Sequence, residues 1–195
     1  MRPLPGLPAQ LLMVPKARLQ QKLQITASTK ESSVVILLFE KKHNPGNIYF
    51  PLIERGNNQG VHSGQIALPG GKVETTDSDF IAAGLREVQE EIGVTVFREE
   101  VIGKLSDLYI PVSNFLVHPL IAIKQDTTCW NSYEYTLDPK EVTSVLELSI
   151  GDLLDDRIVK YSNSHQASYF EVQGKVLWGA TAMILSELKS LLANL

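Results

Sequence analysis

Apolar positions along this chain change period several times, and each change marks an element. Ser33-Val-Val-Ile-Leu-Leu-Phe is a continuous run rich in β-branched and apolar residues, which predicts a buried strand. Asn44-Pro-Gly-Asn is a turn signal, and Ile48-Tyr-Phe-Pro-Leu-Ile predicts a second strand, with Pro51 pointing to an edge or a bulge. Gly56-Asn-Asn-Gln-Gly predicts a loop, and Gly64 to Leu68 a short strand ending at Pro69-Gly70-Gly71. The period then becomes helical. Ile81, Leu85, Val88 and Ile92 share one face of a helix expected from about Ser78 to Ile92, and Gly93 supplies its left-handed stop.

Further strands are expected at Val101–Tyr109, Leu116–Ile123, Val142–Leu148 and Tyr169–Val172. Gly179 to Leu192 predicts a closing amphipathic helix. Strands and helices mixed without strict alternation predict an α+β fold or an α/β sandwich. Residues 1–30 form an N-terminal extension, with a proline-rich opening and a polar stretch from Lys16 to Lys30 that is a candidate helix. Residues 31–195 are expected to form one domain, since 195 residues leave little room for a second core.

Composition narrows the partners. A net charge of −4 gives no overall footprint for nucleic acid and a poor match to an anionic membrane, leaving room for a local basic pocket. Cys129 is the only cysteine, so no intrachain disulfide and no cysteine-based zinc site is available. Prolines interrupt the amino terminus, and no apolar run approaches the roughly 20 residues of a membrane helix. A cytoplasmic location is the resulting expectation.

The chemistry concentrates after Leu68. At about 100° per residue, Glu87, Glu90 and Glu91 fall within an arc of roughly 100° on one helix face. A Glu-rich helix is ordinarily a solvated surface helix. Here, however, Gly70-Gly71 precedes the helix and lets the backbone approach a ligand closely. Three crowded carboxylates call for positive charge. Arg86 alone cannot neutralise them, and a hard divalent cation with oxygen preference, Mg2+ or Mn2+, is the natural complement.

Gly71 is followed by five residues and Asp77, then eight residues, then Arg86-Glu87-Val88-Gln89-Glu90-Glu91-Ile92-Gly93-Val94. This segment resembles the Nudix box: Gly, five residues, Glu, seven residues, Arg-Glu-apolar-x-Glu-Glu-x-Gly-apolar. The second half agrees at every defined position. The first half departs by one inserted residue and by Asp77 in place of Glu, a variant similar to that of coenzyme A diphosphatases. Either Asp77 or Glu74, or neither, then assists the metal site.

The resemblance implies an α/β/α sandwich with a mixed central sheet, and Glu87, Glu90 and Glu91 as metal ligands, with the Gly71 carbonyl as a further one. It implies that Arg86 orients the carboxylates through an ion pair, and that Glu90, Glu91 and Arg86 form the catalytic set. The cation would neutralise the pyrophosphate and activate water near neutral pH. A carboxylate would take the proton, with Glu134 and Glu141 as candidates beyond the box, both expected at the surface. Pro111-Val-Ser-Asn, Val117-His-Pro-Leu, Glu141-Val with Leu146, and Trp178-Gly-Ala-Thr-Ala-Met-Ile extend the likeness over roughly residues 33–190, with Trp178 expected in the core.

The coenzyme A branch carries a second motif ahead of the box, and Leu52, Arg55, Gly64, Pro69, Gly70 and Gly71 fall in its register. Gly56, Gly60 and Leu68 depart from it, and Gly60 stands where the motif has a second arginine. The implied substrate is coenzyme A or acyl-CoA, cleaved to 4′-phosphopantetheine and adenosine 3′,5′-bisphosphate. ADP-ribose, NADH or another nucleoside diphosphate derivative is the alternative, and a non-catalytic nucleotide-binding Nudix domain a third reading. Arg55, His62 and Lys72 are candidate substrate contacts, and a homodimer is compatible with the sequence.

Overall fold

The computed structural model describes residues 3–18, 25–56, 64–124 and 135–194. The chain opens with a short helix α1 (Gly6–Gln10) and two single 3-10 turns, Leu11–Met13 and Lys16–Arg18. The polar stretch expected to be helical therefore holds only a 3-10 turn among its described residues. Residues 25–29 lead through a turn into β1 (Lys30–Lys41).

β1 organises the fold because Val35, Ile36 and Leu37 are all fully buried, which requires cover on both faces. Its first half pairs antiparallel with β4 (Gly70–Lys72), its second half antiparallel with β2 (Asn44–Arg55). Along most of its length it also pairs in parallel with β7 (Phe115–Ile123). On the outer side of β7 lie β5 (Val101–Lys104) and β6 (Leu108–Ile110), while β2 carries β3 (Ile66–Ala67) and β8 (Val142–Ser149). The strand expected at Gly64–Leu68 is only β3, and β4 begins beyond Pro69.

Pro51 is in neither an edge strand nor a bulge. On the side of β2 away from β8, pairing with β1 ends at Tyr49 and pairing with β3 begins at Ile53. Pro51 occupies the gap between two partners, where a missing N–H breaks no ladder.

Helix α2 (Phe80–Ile92) packs Val88 and Ile92 against Val35, Leu37, Phe39 and Ile53 on one face of the sheet. Helix α4 (Gly179–Leu192) packs Ile184, Leu185 and Leu188 with Ile36, Phe50 and Leu52 on the other. The result is the expected helix–sheet–helix sandwich. A five-residue helix α3 (Ile150–Leu154), two further 3-10 turns (Arg98–Glu100 and Asp156–Ile158) and a three-stranded sheet of β9 (Val159–Ser162), β10 (Ala167–Val172) and β11 (Lys175–Leu177) complete the described elements.

Two departures share one cause, a buried carboxylate. Glu187 on α4 is wholly inaccessible and accepts hydrogen bonds from Gly6 N, Ser106 N and Gln10 Nε2. A carboxylate cannot be buried without such donors. It draws Ser106 out of the ladder, so the single strand expected over Val101–Tyr109 is interrupted into β5 and β6. It also ties α1 to α4, with Ser186 Oγ donating to Ala9 O at 2.7 Å. Trp178 is a correction: at 53% exposure it lies at the surface, while its neighbour Leu177 fills the core.

Candidate metal centre

Helix α2 begins where Asp79 caps it, accepting from Ala82 N at 2.8 Å, and ends at Gly93 with φ of 72°. Its apolar residues fix its rotation, and that rotation turns Glu87 and Glu91 toward β4. Glu141, just before β8, reaches the same place from the opposite side. The three carboxylates offer oxygens that all lie within 4.8 Å of one another.

Glu91 carries the strongest tension. It is 1% exposed; Oε2 accepts from Gly70 N at 2.8 Å, and Oε1 finds no hydrogen-bond donor among the described residues. Burial pushes its carboxyl up to about 8, although the Gly70 amide and the nearby Arg55 guanidinium pull the other way. Burial also raises Glu87, against the pull of Arg86. An orphaned, buried carboxylate oxygen facing two further carboxylates fits a hard divalent cation.

The glycines make the space. A side chain on Gly71 would put Cβ 2.2 Å from Glu87 Oε1, and one on Gly70, at φ of 146°, would meet Ser33 O at 2.2 Å. Strand β4 can therefore lie against both β1 and the carboxylates only as Gly-Gly.

Arg86 uses its whole donor set. Nε and Nη2 hold the two oxygens of Asp77 at 3.0 and 3.1 Å, in a fork-to-fork pair. Nη1 donates to Glu87 Oε1 and Glu90 Oε2 at 3.0 and 2.8 Å, and Nη2 also reaches Lys72 O at 3.1 Å. The Asp77 pair, chiefly, raises the Arg86 guanidinium further above its already high range. Asp77 thus anchors Arg86, and Glu74 contributes its backbone N–H to Asp77.

The structure groups the candidates differently from the sequence. Glu87, Glu91 and Gly71 come together as expected from one helix face and the turn before it. Glu90 stands apart, 57% exposed and paired with Arg86. Arg55, at the end of β2, lies near Glu91. Lys72 is exposed, and its carbonyl accepts from Arg86 Nη2. His62, Gly60 and Glu134 lie outside the described residues. Glu141, expected at the surface, is exposed yet belongs to the cluster. Its carbonyl accepts from Gly56 N at 2.7 Å, and its neighbour Val142 pairs with Arg55. Only that β2–β8 register brings it to the site.

The sequence profile described as NUDIX domain matches residues 29–160. An uncharacterized Nudix hydrolase NudL from Salmonella heidelberg is 32% identical over 173 residues, covering 85% of each chain, as is its counterpart from Salmonella newport. Among solved structures, a MutT/nudix family protein from Enterococcus faecalis superposes with a TM-score of 0.58 at 16% identity, over 90% of this chain and 66% of that one. A MutT protein from Methanosarcina mazei gives 0.54 at 17%, over 87% and 100%. A C. elegans Ap4A hydrolase gives 0.52 at 16%, over 85% and 99%. At such identities the structures establish the fold.

Proposed function

This chain belongs to the Nudix hydrolase family, a pyrophosphatase by that membership, and we propose that it cleaves coenzyme A or acyl-CoA to 4′-phosphopantetheine and adenosine 3′,5′-bisphosphate. The observation that carries the reading is the Glu87–Glu91–Glu141 cluster with Arg55 beside it. Support for the coenzyme A branch comes from the register of Leu52, Arg55, Gly64 and Pro69-Gly70-Gly71.

Glu87, Glu91 and the Gly71 carbonyl would hold Mg2+ or Mn2+, and Glu90 is the carboxylate for which the cation and Arg86 compete. When bound, the cation lowers the charge on the pyrophosphate and activates water. The chain's own residues do the rest. Asp77 fixes Arg86, and Arg86 fixes Glu87. Arg55 binds a substrate phosphate, a task for which a guanidinium is well suited. Glu141, the exposed member of the cluster, accepts the proton of the attacking water.

Gly60 in place of the motif's second arginine favours a second reading, in which the same machinery acts on ADP-ribose, NADH or another nucleoside diphosphate derivative. A turnover screen over coenzyme A, ADP-ribose, NADH and nucleoside triphosphates separates the two. Coenzyme A cleavage is the expected result; efficient ADP-ribose cleavage without it overturns the coenzyme A assignment.

A further inference from the structure

Helix α2 lies along a single row of the sheet. Ser33 of β1 pairs with Gly71 of β4 on one side and with His118 of β7 on the other. Above Gly71 sits Glu87, whose Oε1 occupies the space of the absent side chain. Above Ser33 sits Gly84, where a Cβ would be 2.7 Å from the serine Oγ. Above His118 sits Phe80, with ring centroids 4.5 Å apart and planes 26° from parallel. Three to four helical residues advance about 4.5–6 Å, close to the roughly 4.8 Å between strands. Phe80, Gly84, Glu87 and Glu91 therefore share an arc of about 60° on α2.

The far end of this row is built with care. His118 is 5% exposed, and its Nδ1 lies 2.9 Å from Asp107 Oδ1. Its Nε2 is buried and has no hydrogen-bond partner among the described residues. The tautomer that orphans no buried N–H carries its proton on Nδ1 and donates it to Asp107. Lys104 Nζ, 2.8 Å from the same Asp107 oxygen, lies 5.3 Å from the Phe80 ring centroid. The His118 carbonyl accepts from Ser33 Oγ at 3.2 Å, so the middle contact is tied to the outer one.

We propose that His118, held by Asp107 and stacked on Phe80, is a positioning residue that sets where α2 lies along the Gly71–Ser33–His118 row, and so the reach of Glu87 and Glu91. Within this row Gly84 presents no side chain to resist sliding, so the Phe80–His118 stack is the side-chain contact that fixes its β7 end. This role rests on the reading that those carboxylates hold a cation.

Calorimetric Mn2+ titration of the wild type, H118A and H118F tests it, with kcat and KM measured on the substrate identified by the screen. H118A is expected to weaken Mn2+ binding by about tenfold and to lower kcat, with KM changed less than about twofold, the scale seen when supports of metal ligands are removed. H118F, which keeps a stacked ring, is expected to restore Mn2+ affinity to within about threefold of wild type. If H118A does not fold, F80L, which keeps apolar bulk but removes the ring on which His118 stacks, replaces it and is expected to weaken Mn2+ binding. Wild-type Mn2+ affinity in a folded H118A or F80L, or an H118F as weak as H118A, overturns the proposal. Absence of Mn2+ binding by the wild type itself overturns the underlying metal reading and this role with it.

Discussion

Glu87 occupies the place where Gly71 has no side chain: a Cβ there would lie 2.2 Å from Glu87 Oε1. A Cβ on the neighbouring Gly70 would lie equally close to the Ser33 carbonyl oxygen. The two obstructions differ in kind. A carboxylate end can swing away, whereas a strand backbone cannot.

The adjacent glycines should therefore fail differently. G71A is expected to fold with an unfolding midpoint near that of wild type, to displace the Glu87 carboxylate, and to lose most Mn2+-dependent turnover. G70A, strained at φ of 146° and blocked by backbone, is expected to lose roughly 2 kcal/mol or more of stability. Thermal unfolding beside activity checks both; equal destabilisation by the two would contradict the assignment.

Arg86 acts through geometry as well as charge. All its N–H directions are used by Asp77, Glu87, Glu90 and Lys72 O, a pattern that a lysine cannot reproduce. R86K is expected to cost at least about tenfold in kcat/KM, with D77N showing a smaller loss in the same direction. Steady-state kinetics at saturating Mn2+ measures it, and wild-type rates in R86K would remove Arg86 from the mechanism.

The metal-free protein should be strained by Glu91. Its carboxyl is raised from 4.5 to about 8, so the folded state binds more protons than the unfolded state between those values. This contribution to stability therefore falls as pH rises from about 4.5 to about 8, and the cost of the buried charge is complete above that. E91Q removes the charge. Without metal it is expected to melt above wild type at pH 8.5, with the gap narrowing toward pH 5. A gap that widens on acidification contradicts the burial argument.

Glu187 should matter to stability rather than to chemistry. E187A leaves the Gly6 and Ser106 N–H groups without their acceptor and the Gln10 amide with only the Ser106 carbonyl. A loss of about 2–3 kcal/mol is expected, together with faster proteolytic cleavage near α1. Chemical denaturation and limited proteolysis report the two effects. Turnover per folded molecule should stay near wild type.

What was legible in the sequence followed from local periodicity. Phe80–Ile92 and Gly179–Leu192 were readable because their apolar positions recur at helical spacing between clear end signals. Glu87, Glu91 and Gly71 were readable because one helix and the turn before it bring them together. The sequence marks Glu141 only as a surface candidate, because its place depends on β2–β8 register, a contact between distant segments. The split of β5 from β6 and the helix α1 both depend on Glu187, more than 80 residues from Ser106 and more than 170 from Gly6. Aromatic character alone points Trp178 to the core, whereas Leu177, the last residue of β11, takes that place and turns Trp178 outward.

The most direct measurement is an equilibrium titration of Mn2+ into wild type, E87Q and E91Q without substrate. Saturable binding by the wild type, weakened by each substitution in a folded protein, is the predicted result. Equal binding by all three would mean that the buried glutamates of α2 hold no cation.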